Sequence, residues 1–523
     1  MMVYEGADIP FVMSAIPEAI SFNGHVALPF TLPMMQRARA AGLPAASPIR
    51  TEYDWPIHPG LTPMRHQIRM AEFLTLNPRA FNLSDMRTGK TLAALWAFDY
   101  LRRLGIIQRC LIVAKLSTLE RVWLREIVGH FLGRMSGVVV YGSRTTRLDS
   151  LDREADCYII NFDGLSLGCR RGSRGLELGP LGQQLRERQD IGLVIIDESA
   201  SLRNSGTRRW KVMRSIVQTK GWVWQLTGTP TPNAPTDAQP QRRLVDPHCE
   251  NWPAFRARTM IRVNQFKWVP KHDAAQTVAA FLQPAIRFER AECMDLPPMV
   301  VDPPMEIDLT IEQKERIADM VTDLETRVAT GEKITAANEA VMRMKLIQIL
   351  CGAVYDQAHD VHYVDARPRF EALLEVIEEA GGKCLVFAPL TSVVDMLHIE
   401  LNKSGVATEK ITGGTSGRQR NEIFRNFDSA SELRVLVADP GTVAHGLDLS
   451  AANTIVWYGP TDRVEDYTQA NQRIAGPNQR RGMLIVRLAA TDIERTIFAR
   501  LDRKETLQGV ILDLVKETRG PDQ

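Results

Sequence analysis

The feature that most constrains this chain is a series of short, β-rich apolar runs, each bounded by polar or turn residues and separated by segments of helical length. Such runs belong to strands buried on both faces of a parallel sheet. They fall into two groups. The first comprises FNL (81–83), CLIVA (110–114), GVVVY (137–141), CYII (157–160), LVII (193–196) and WVWQL (222–226). The second comprises CLVFA (384–388), RVLVA (434–438), TIVWY (454–458) and MLIVRL (483–488). TLERVWLREIVGHFL and TSVVDMLHIELNKSG, which lie between runs, carry helical patterns. Alternating strands and helices predict doubly wound α/β domains, and the two groups predict two of them.

The whole chain has 523 residues, too many for one core at roughly 150 residues per domain. Four regions are expected: a small accessory module at 1–52, a first α/β lobe at 53–240, a basic and helical insertion or bridge at 241–365, and a second lobe at 366–523 with a C-terminal helix bracing the two lobes. The bridge holds nine Lys/Arg against four acids over 241–290, although the chain as a whole carries only +2. A local excess of this kind suits a phosphate backbone and equally a solvated face.

The first residues, MMVYEGADIPF, lack a basic segment followed by an apolar one, and no window reaches the ~18 apolar residues of a membrane span, so a cytoplasmic protein with no membrane partner is expected. Seven scattered cysteines show neither zinc-ligand spacing nor a disulfide framework, and Cys110, Cys157 and Cys384 are expected to be buried thiols.

Chemistry enters at FNLSDMRTGKTLAA (81–94). Gly89-Lys90-Thr91 ends like a phosphate-binding loop, but Ser84 occupies the place where G-x-x-x-x-G-K-[ST] has its first glycine. A phosphate loop presents backbone N–H groups and a helix N-terminus to the phosphates, with a lysine for charge and a Ser/Thr hydroxyl for the metal ion. The context is right, with a strand before the loop and an amphipathic pattern after it. A second element, LVIIDESA, places Asp197 and Glu198 at the end of an apolar run, where one acid can hold magnesium and the other can orient or deprotonate water.

DMRTGKT, DESA, QLTGTPTPN, ADPGTVAHGLDLSAANTIVWYGP and DYTQANQRIAGPNQ occur in the order of motifs I, II, III, V and VI of the superfamily 2 helicases. Over about residues 55–510 the chain most resembles the SWI/SNF-like DNA translocases, of the compact phage and bacterial type. The resemblance resolves the missing glycine, because that family's first motif ends in G-K-T without it. It implies two RecA-like lobes, ATP and magnesium (Mg2+) as cofactors, and movement on double-stranded or branched DNA without sequence preference.

Residue by residue, the resemblance implies that Gln67 reads adenine. Arg87, Thr88 and Gly89 shape the phosphate loop, and Lys90 contacts the β and γ phosphates. Thr91 and Asp197 hold magnesium, and Glu198 activates water. Thr227 and Thr229 link the phosphate state to the grip on nucleic acid, while Gly446 and Asp448 connect the nucleotide and DNA sites. Arg473 reaches the γ-phosphate from the second lobe, since it lies 276 residues beyond Asp197 and outside the first domain. Lys115, Ser117, Asn161, Thr412, Gly413 and Thr442 are the expected backbone contacts to DNA. Such contacts position the track without reading its sequence.

The chain departs from the family pattern at Asp448, where many members have asparagine, and at two further places. Arg87 stands where many members have glycine. Gly476 occupies the second arginine position of motif VI and Asn478 that motif's glycine, which leaves Arg480 or Arg481 as substitutes. These departures keep a weakly hydrolysing or ATP-gated DNA-binding or interaction module open as an alternative. An RNA helicase is another, though DESA and a motif VI beginning with glutamine argue against the DEAD-box pattern. Residues 1–52 could serve a protein partner.

Overall fold

The computed structural model describes residues 1–5, 9–172, 175–264, 267–293, 297–329, 336–355, 360–429, 432–443, 449–476 and 479–517. The chain divides into two compact units, one formed by Met1–Cys293 with Leu507–Gln523 and the other by Met294–Thr506. Each holds a parallel seven-stranded sheet with helices between its strands, so both expected α/β lobes are present.

In the first unit the sheet order is Ala285–Ile286, Arg79–Asn82, Trp222–Leu226, Ile191–Asp197, Arg109–Ala114, Cys157–Asn161 and Gly137–Val140. Every adjacent pair is parallel. Trp222–Leu226 and Cys157–Asn161 are buried along their whole length, which explains why these strands read as unbroken apolar runs instead of alternating. Cys110 and Cys157 face each other as buried free thiols in adjacent strands, and Cys384 is buried in the second sheet.

Residues before 53 form a three-stranded antiparallel sheet with helices. They share one apolar core with the first lobe, in which Tyr4, Val26, Leu28 and Met35 are continuous with Trp96, Ile112 and Trp224. Gln36 Nε2 donates to Thr75 O at 2.8 Å, and Tyr53 Oη to the buried Asp99 carboxylate at 2.7 Å. This region is a layer of the lobe.

Residues 241–293 group with the first unit and the rest of the expected bridge with the second. The physical reason is that Ala285–Ile286 adds to the edge of the first sheet, with Leu83 N donating to Ile286 O at 2.7 Å. The second sheet runs in the order Met299–Val301, Met483–Ala489, Ala452–Trp457, Lys383–Phe387, Val435–Ala438 and Thr408–Ile411, and Met305–Glu306 also pairs with Met483–Ala489. Among the described residues no helix is long and apolar enough to cross a membrane.

Candidate nucleotide and nucleic-acid site

All strands of the first sheet run the same way, so the segments that follow them gather at one edge, the carboxyl edge where α/β sheets bind ligands. The loop after Arg79–Asn82 leads into helix Lys90–Arg103 through Gly89, whose φ of +79° is left-handed. A Cβ on Gly89 would fall 2.0 Å from Gln67 Nε2, so both backbone conformation and the packed glutamine demand glycine there. Gln67 therefore lies against the loop, with its Oε1 accepting from Met64 N at 3.1 Å.

Lys90 folds back onto the loop, and its Nζ donates to Ser84 O at 2.6 Å and Asp85 O at 2.8 Å. Burial draws its pKa below the usual lysine value, opposed by the charges of Glu198, Asp197 and Asp85. Thr88 is buried and donates to Asp85 O at 2.9 Å, while Thr91 sits half-buried in the first turn of the helix.

Asp197 ends strand Ile191–Asp197. Burial raises its pKa, countered by a 2.9 Å hydrogen bond from Trp123 Nε1 and by the charges of Lys90 and Lys115. Glu198 follows at φ +53° and Arg87 lies at φ +65°, both in the left-handed region that L-residues occupy under strain. Strained residues of this kind cluster at functional sites. Thr227 Oγ1 donates to Glu198 Oε2 at 3.4 Å, and Thr229 N to Thr227 Oγ1 at 3.1 Å. The acids, the lysine and the threonine of the third motif thus share one sheet edge.

Four residues of this site were missed in the sequence. His66 is buried, with its Nε2 2.9 Å from Thr88 O. Trp123 orients Asp197 from a single stretch of π-helix, Leu119–Leu124. Asp85 and Arg287 join the loop to the sheet edge through a 3.0 Å ion pair. Trp123 lies in a segment that reads as a helical pattern, Asp85 opens DMRTGKT without a sign of its partner, and no local pattern marks His66 or Arg287.

The residues expected to contact DNA fall in two sets, one in each unit. Lys115 follows strand Arg109–Ala114, and Ser117 lies in the short 3-10 turn Leu116–Thr118 beyond it. Asn161 pairs with Ala114 in the neighbouring strand; it is buried, and its Oδ1 accepts from Arg147 Nη1 at 3.1 Å. In the second unit Asp439 N donates to Ile411 O at 3.2 Å, which sets the turn with Thr412 and exposed Gly413 beside the turn with Thr442. A cavity of about 220 Å³ lined by Arg343, Asp439, Asp462, Arg463 and Asp466 adjoins them.

Arg473 is 2% exposed, and Leu449 N donates to its carbonyl at 3.2 Å. Arg480 and Arg481 are exposed, and a Cβ on Gly382, just before strand Lys383–Phe387, would fall 2.2 Å from Arg481 Nη1. Gly446, Asp448 and Asn478 lie outside the described residues.

Comparison with known proteins agrees with this layout. Residues 67–248 match the SNF2-related domain and residues 368–476 the helicase conserved C-terminal domain. A putative protein p41 of Acyrthosiphon pisum secondary endosymbiont phage 1 is 24% identical over 485 residues, covering 87% of this chain and 99% of that protein. A Caenorhabditis elegans homolog of the SWI/SNF-related matrix-associated actin-dependent regulator of chromatin subfamily A containing DEAD/H box 1 is 21% identical over 498 residues, covering 83% of this chain and 49% of that protein. The chain therefore spans nearly all of the phage relative but about half of the nematode one. The Sulfolobus solfataricus SWI2/SNF2 ATPase core in complex with dsDNA aligns with a TM-score of 0.40 at 18% identity, covering 88% of this chain and 94% of that one.

The two parallel α/β lobes and the matched SNF2-related and helicase C-terminal domains define a nucleic-acid-dependent ATPase of the helicase type. Within that class the chain belongs to superfamily 2 and is SWI/SNF-like.

Proposed function

We propose that this protein is an ATP-dependent motor that moves along double-stranded or branched DNA during replication, recombination or repair. The observation that carries the reading is the convergence of Lys90, Asp197, Glu198 and Thr227 on one edge of the first sheet, inside the segment that matches the SNF2-related domain.

The residues present fit a nucleotide. The loop turns tightly at Gly89 with Gln67 packed on it, and the loop carbonyls that hold the Lys90 ammonium mark the place where phosphate oxygens compete for it. Gln67 reads adenine; Arg87, Thr88 and Gly89 wrap the phosphates; Lys90 binds the β and γ groups. Thr91 and Asp197 are the donors for magnesium, which would neutralise charge on the phosphate oxygens when bound. Glu198 takes the proton of the attacking water, and Thr227 senses the state of that carboxylate through their hydrogen bond. Arg473 stabilises charge on the γ-phosphate in the transition state, a role that contributes ~10³ to 10⁵ in rate in related reactions. Gly446 and Asp448 couple the nucleotide to the track.

DNA phosphates are held by Lys115, Ser117, Asn161, Thr412, Gly413 and Thr442. The outer face of the N-terminal sheet, with Val3, Ile20 and Phe22 exposed, is assigned to a protein partner. The setting is cytoplasmic, the host cytoplasm for a phage-encoded chain.

A slow, ATP-gated DNA-binding module is the second reading. It is favoured by the exposure of Arg480 and Arg481, with Arg481 packed against Gly382, while Arg473 is buried. Steady-state ATPase activity without nucleic acid and with single-stranded DNA, duplex DNA, forked DNA or duplex RNA separates the readings, with Lys90→Ala as blank. Strong stimulation by duplex or forked DNA is expected. ATP binding with turnover at the blank in every case overturns the motor, and stimulation by RNA alone makes the chain an RNA helicase.

A further inference from the structure

The module built from helix Trp252–Thr259, the hairpin Met260–Arg262 with Trp268–Pro270, and helix Ala274–Phe281 has no part in the nucleotide site described above. It is firmly mounted. Phe255 is fully buried and stacks on Phe281 with ring centroids 4.2 Å apart, and its cluster includes Phe81 and Leu83, which lead into the phosphate loop. Residues 252–273 carry five Lys/Arg against one acid.

The cations are arranged in a particular way. The Arg256 guanidinium lies over two indoles, 4.4 Å from the Trp252 ring centroid and 4.3 Å from that of Trp268, and it makes no hydrogen bond or ion pair among the described residues. A guanidinium packed on two rings, with no partner for its N–H donors among the described residues, has already lost rotamer freedom and can meet an anion with two donors. In the hairpin, Arg262 pairs in register with Trp268 and so lies on the same face as this stack. Alternation along the strand places Lys267 and Lys271 on the other face, with exposed Ile261. The ammonium groups of Lys267 and Lys271 have no partner among the described residues, whereas Arg258 is neutralised by Glu250 at 2.7 Å.

From this geometry we infer that the hairpin module is a second DNA-binding element of the first lobe, gripping backbone phosphates through Arg256, Arg262, Lys267 and Lys271. A two-stranded ribbon is narrow enough to enter a groove of DNA. Its cations on both faces reach phosphates on either side, while Ile261 and Val263 lie against sugar and base edges. An acidic protein would also satisfy the charge, but a rigid planar fork and cations on two faces match the spaced, tetrahedral anions of a nucleic-acid backbone better. This inference deepens the DNA-motor reading and rests on it for the identity of the partner.

The test compares the wild-type full chain with the variant R256A/R262A/K267A/K271A and with Arg256→Lys, using labelled duplex and forked DNA at salt between about 50 and 200 mM. Each phosphate contact contributes about 0.9 to the slope of log affinity against log salt, so the fourfold variant is expected to lose about 3 from that slope and roughly a hundredfold in affinity. Arg256→Lys is expected to keep the slope and bind several-fold more weakly, because the charge survives and the stacked fork does not. Binding of a fluorescent ATP analogue is expected to be unchanged, since none of the four residues touches the phosphate loop, while melting falls a few degrees in the fourfold variant from the lost packing of Arg256 on Trp252 and Trp268 and stays cooperative. A folded fourfold variant with wild-type slope and affinity overturns the inference and leaves an acidic protein as the partner. Wild-type protein that binds DNA with this slope but shows no DNA-stimulated ATPase overturns the motor and not the hairpin.

Discussion

Asp85 accepts a 3.0 Å hydrogen bond from Nη1 of Arg287, a residue 202 positions further along the chain. The pair welds the phosphate loop to the sheet edge, where Asp85 N also donates to Phe288 O at 3.0 Å and Phe288 N to Ser84 Oγ at 3.0 Å. Their side chains are 24% and 7% exposed, so truncating either one strands a charge in a largely dry place.

The first expected outcome follows from that burial. Arg287→Ala should cost roughly 3 kcal/mol of stability, the lower end for removing one partner of a buried pair. It should also raise KM for ATP more than it lowers kcat, because the loop that holds the phosphates loosens while the groups of the chemical step stay in place. Thermal melting with steady-state kinetics checks both. A variant of normal stability with a normal KM would show that the loop holds its shape without Arg287.

Arg87 sits at φ +65°, where a Cβ is strained by about 1 kcal/mol relative to glycine. The family's preference for glycine at this position therefore has a backbone cause. Arg87→Gly should melt higher than Arg87→Ala by the equivalent of about 1 kcal/mol, since alanine keeps the strain and glycine removes it. Equal melting of the two variants would indicate that the loop relaxes out of the left-handed region.

The parallel strands were legible because burial on both faces leaves an unbroken apolar run, as in Cys157–Asn161 and Trp222–Leu226. Of the edge strands only Gly137–Val140 was, as GVVVY. Thr408–Ile411 reads TEKI, with both central residues only half-buried, and Ala285–Ile286 is too short to carry a pattern. The same logic governs the site. Lys90, Asp197 and Glu198 could be read because each lies in a contiguous motif at a strand end. Trp123 reaches Asp197 across 74 residues, and the π-helical turn that carries it resembles an ordinary amphipathic helix in sequence. Phe81 and Leu83 likewise bind the hairpin module to the loop through packing that no local window contains.

His66 offers a test by pH. Burial lowers its pKa from 6.5, opposed by the hydrogen bond with Thr88 O. The unfolded chain therefore binds more protons than the folded one as pH falls below 6.5, so stability is full above that value and is lost as pH falls through the folded-state pKa. His66→Gln retains an amide that can donate to Thr88 O and does not titrate. Between pH 7.5 and 5.5 the wild type should lose more melting temperature than His66→Gln, and its affinity for a fluorescent ATP analogue should fall in parallel because Thr88 belongs to the loop. Matching losses in the two proteins would place the acid sensitivity elsewhere.

On the motor reading, Arg473 and the glycine at position 476 set how fast the enzyme turns over. A residue that acts only on charge developing at the γ-phosphate affects kcat and leaves ground-state binding alone. Arg473→Ala should therefore lower DNA-stimulated kcat by ~10³ while the affinity for ATP changes little. Arg480→Ala should leave kcat within a few-fold of wild type, because Arg480 is exposed and its backbone is turned toward Gln479 Oε1 at 3.1 Å. Writing the family's second arginine back in is not expected to help. Gly476 is buried and its carbonyl accepts from Gln479 N at 3.0 Å, so Gly476→Arg must force a charged side chain into a packed turn. That variant should lose melting temperature without gaining rate. A faster Gly476→Arg enzyme would instead mean that the turn opens to admit the side chain, and that the missing arginine, more than Arg473, limits the wild-type rate.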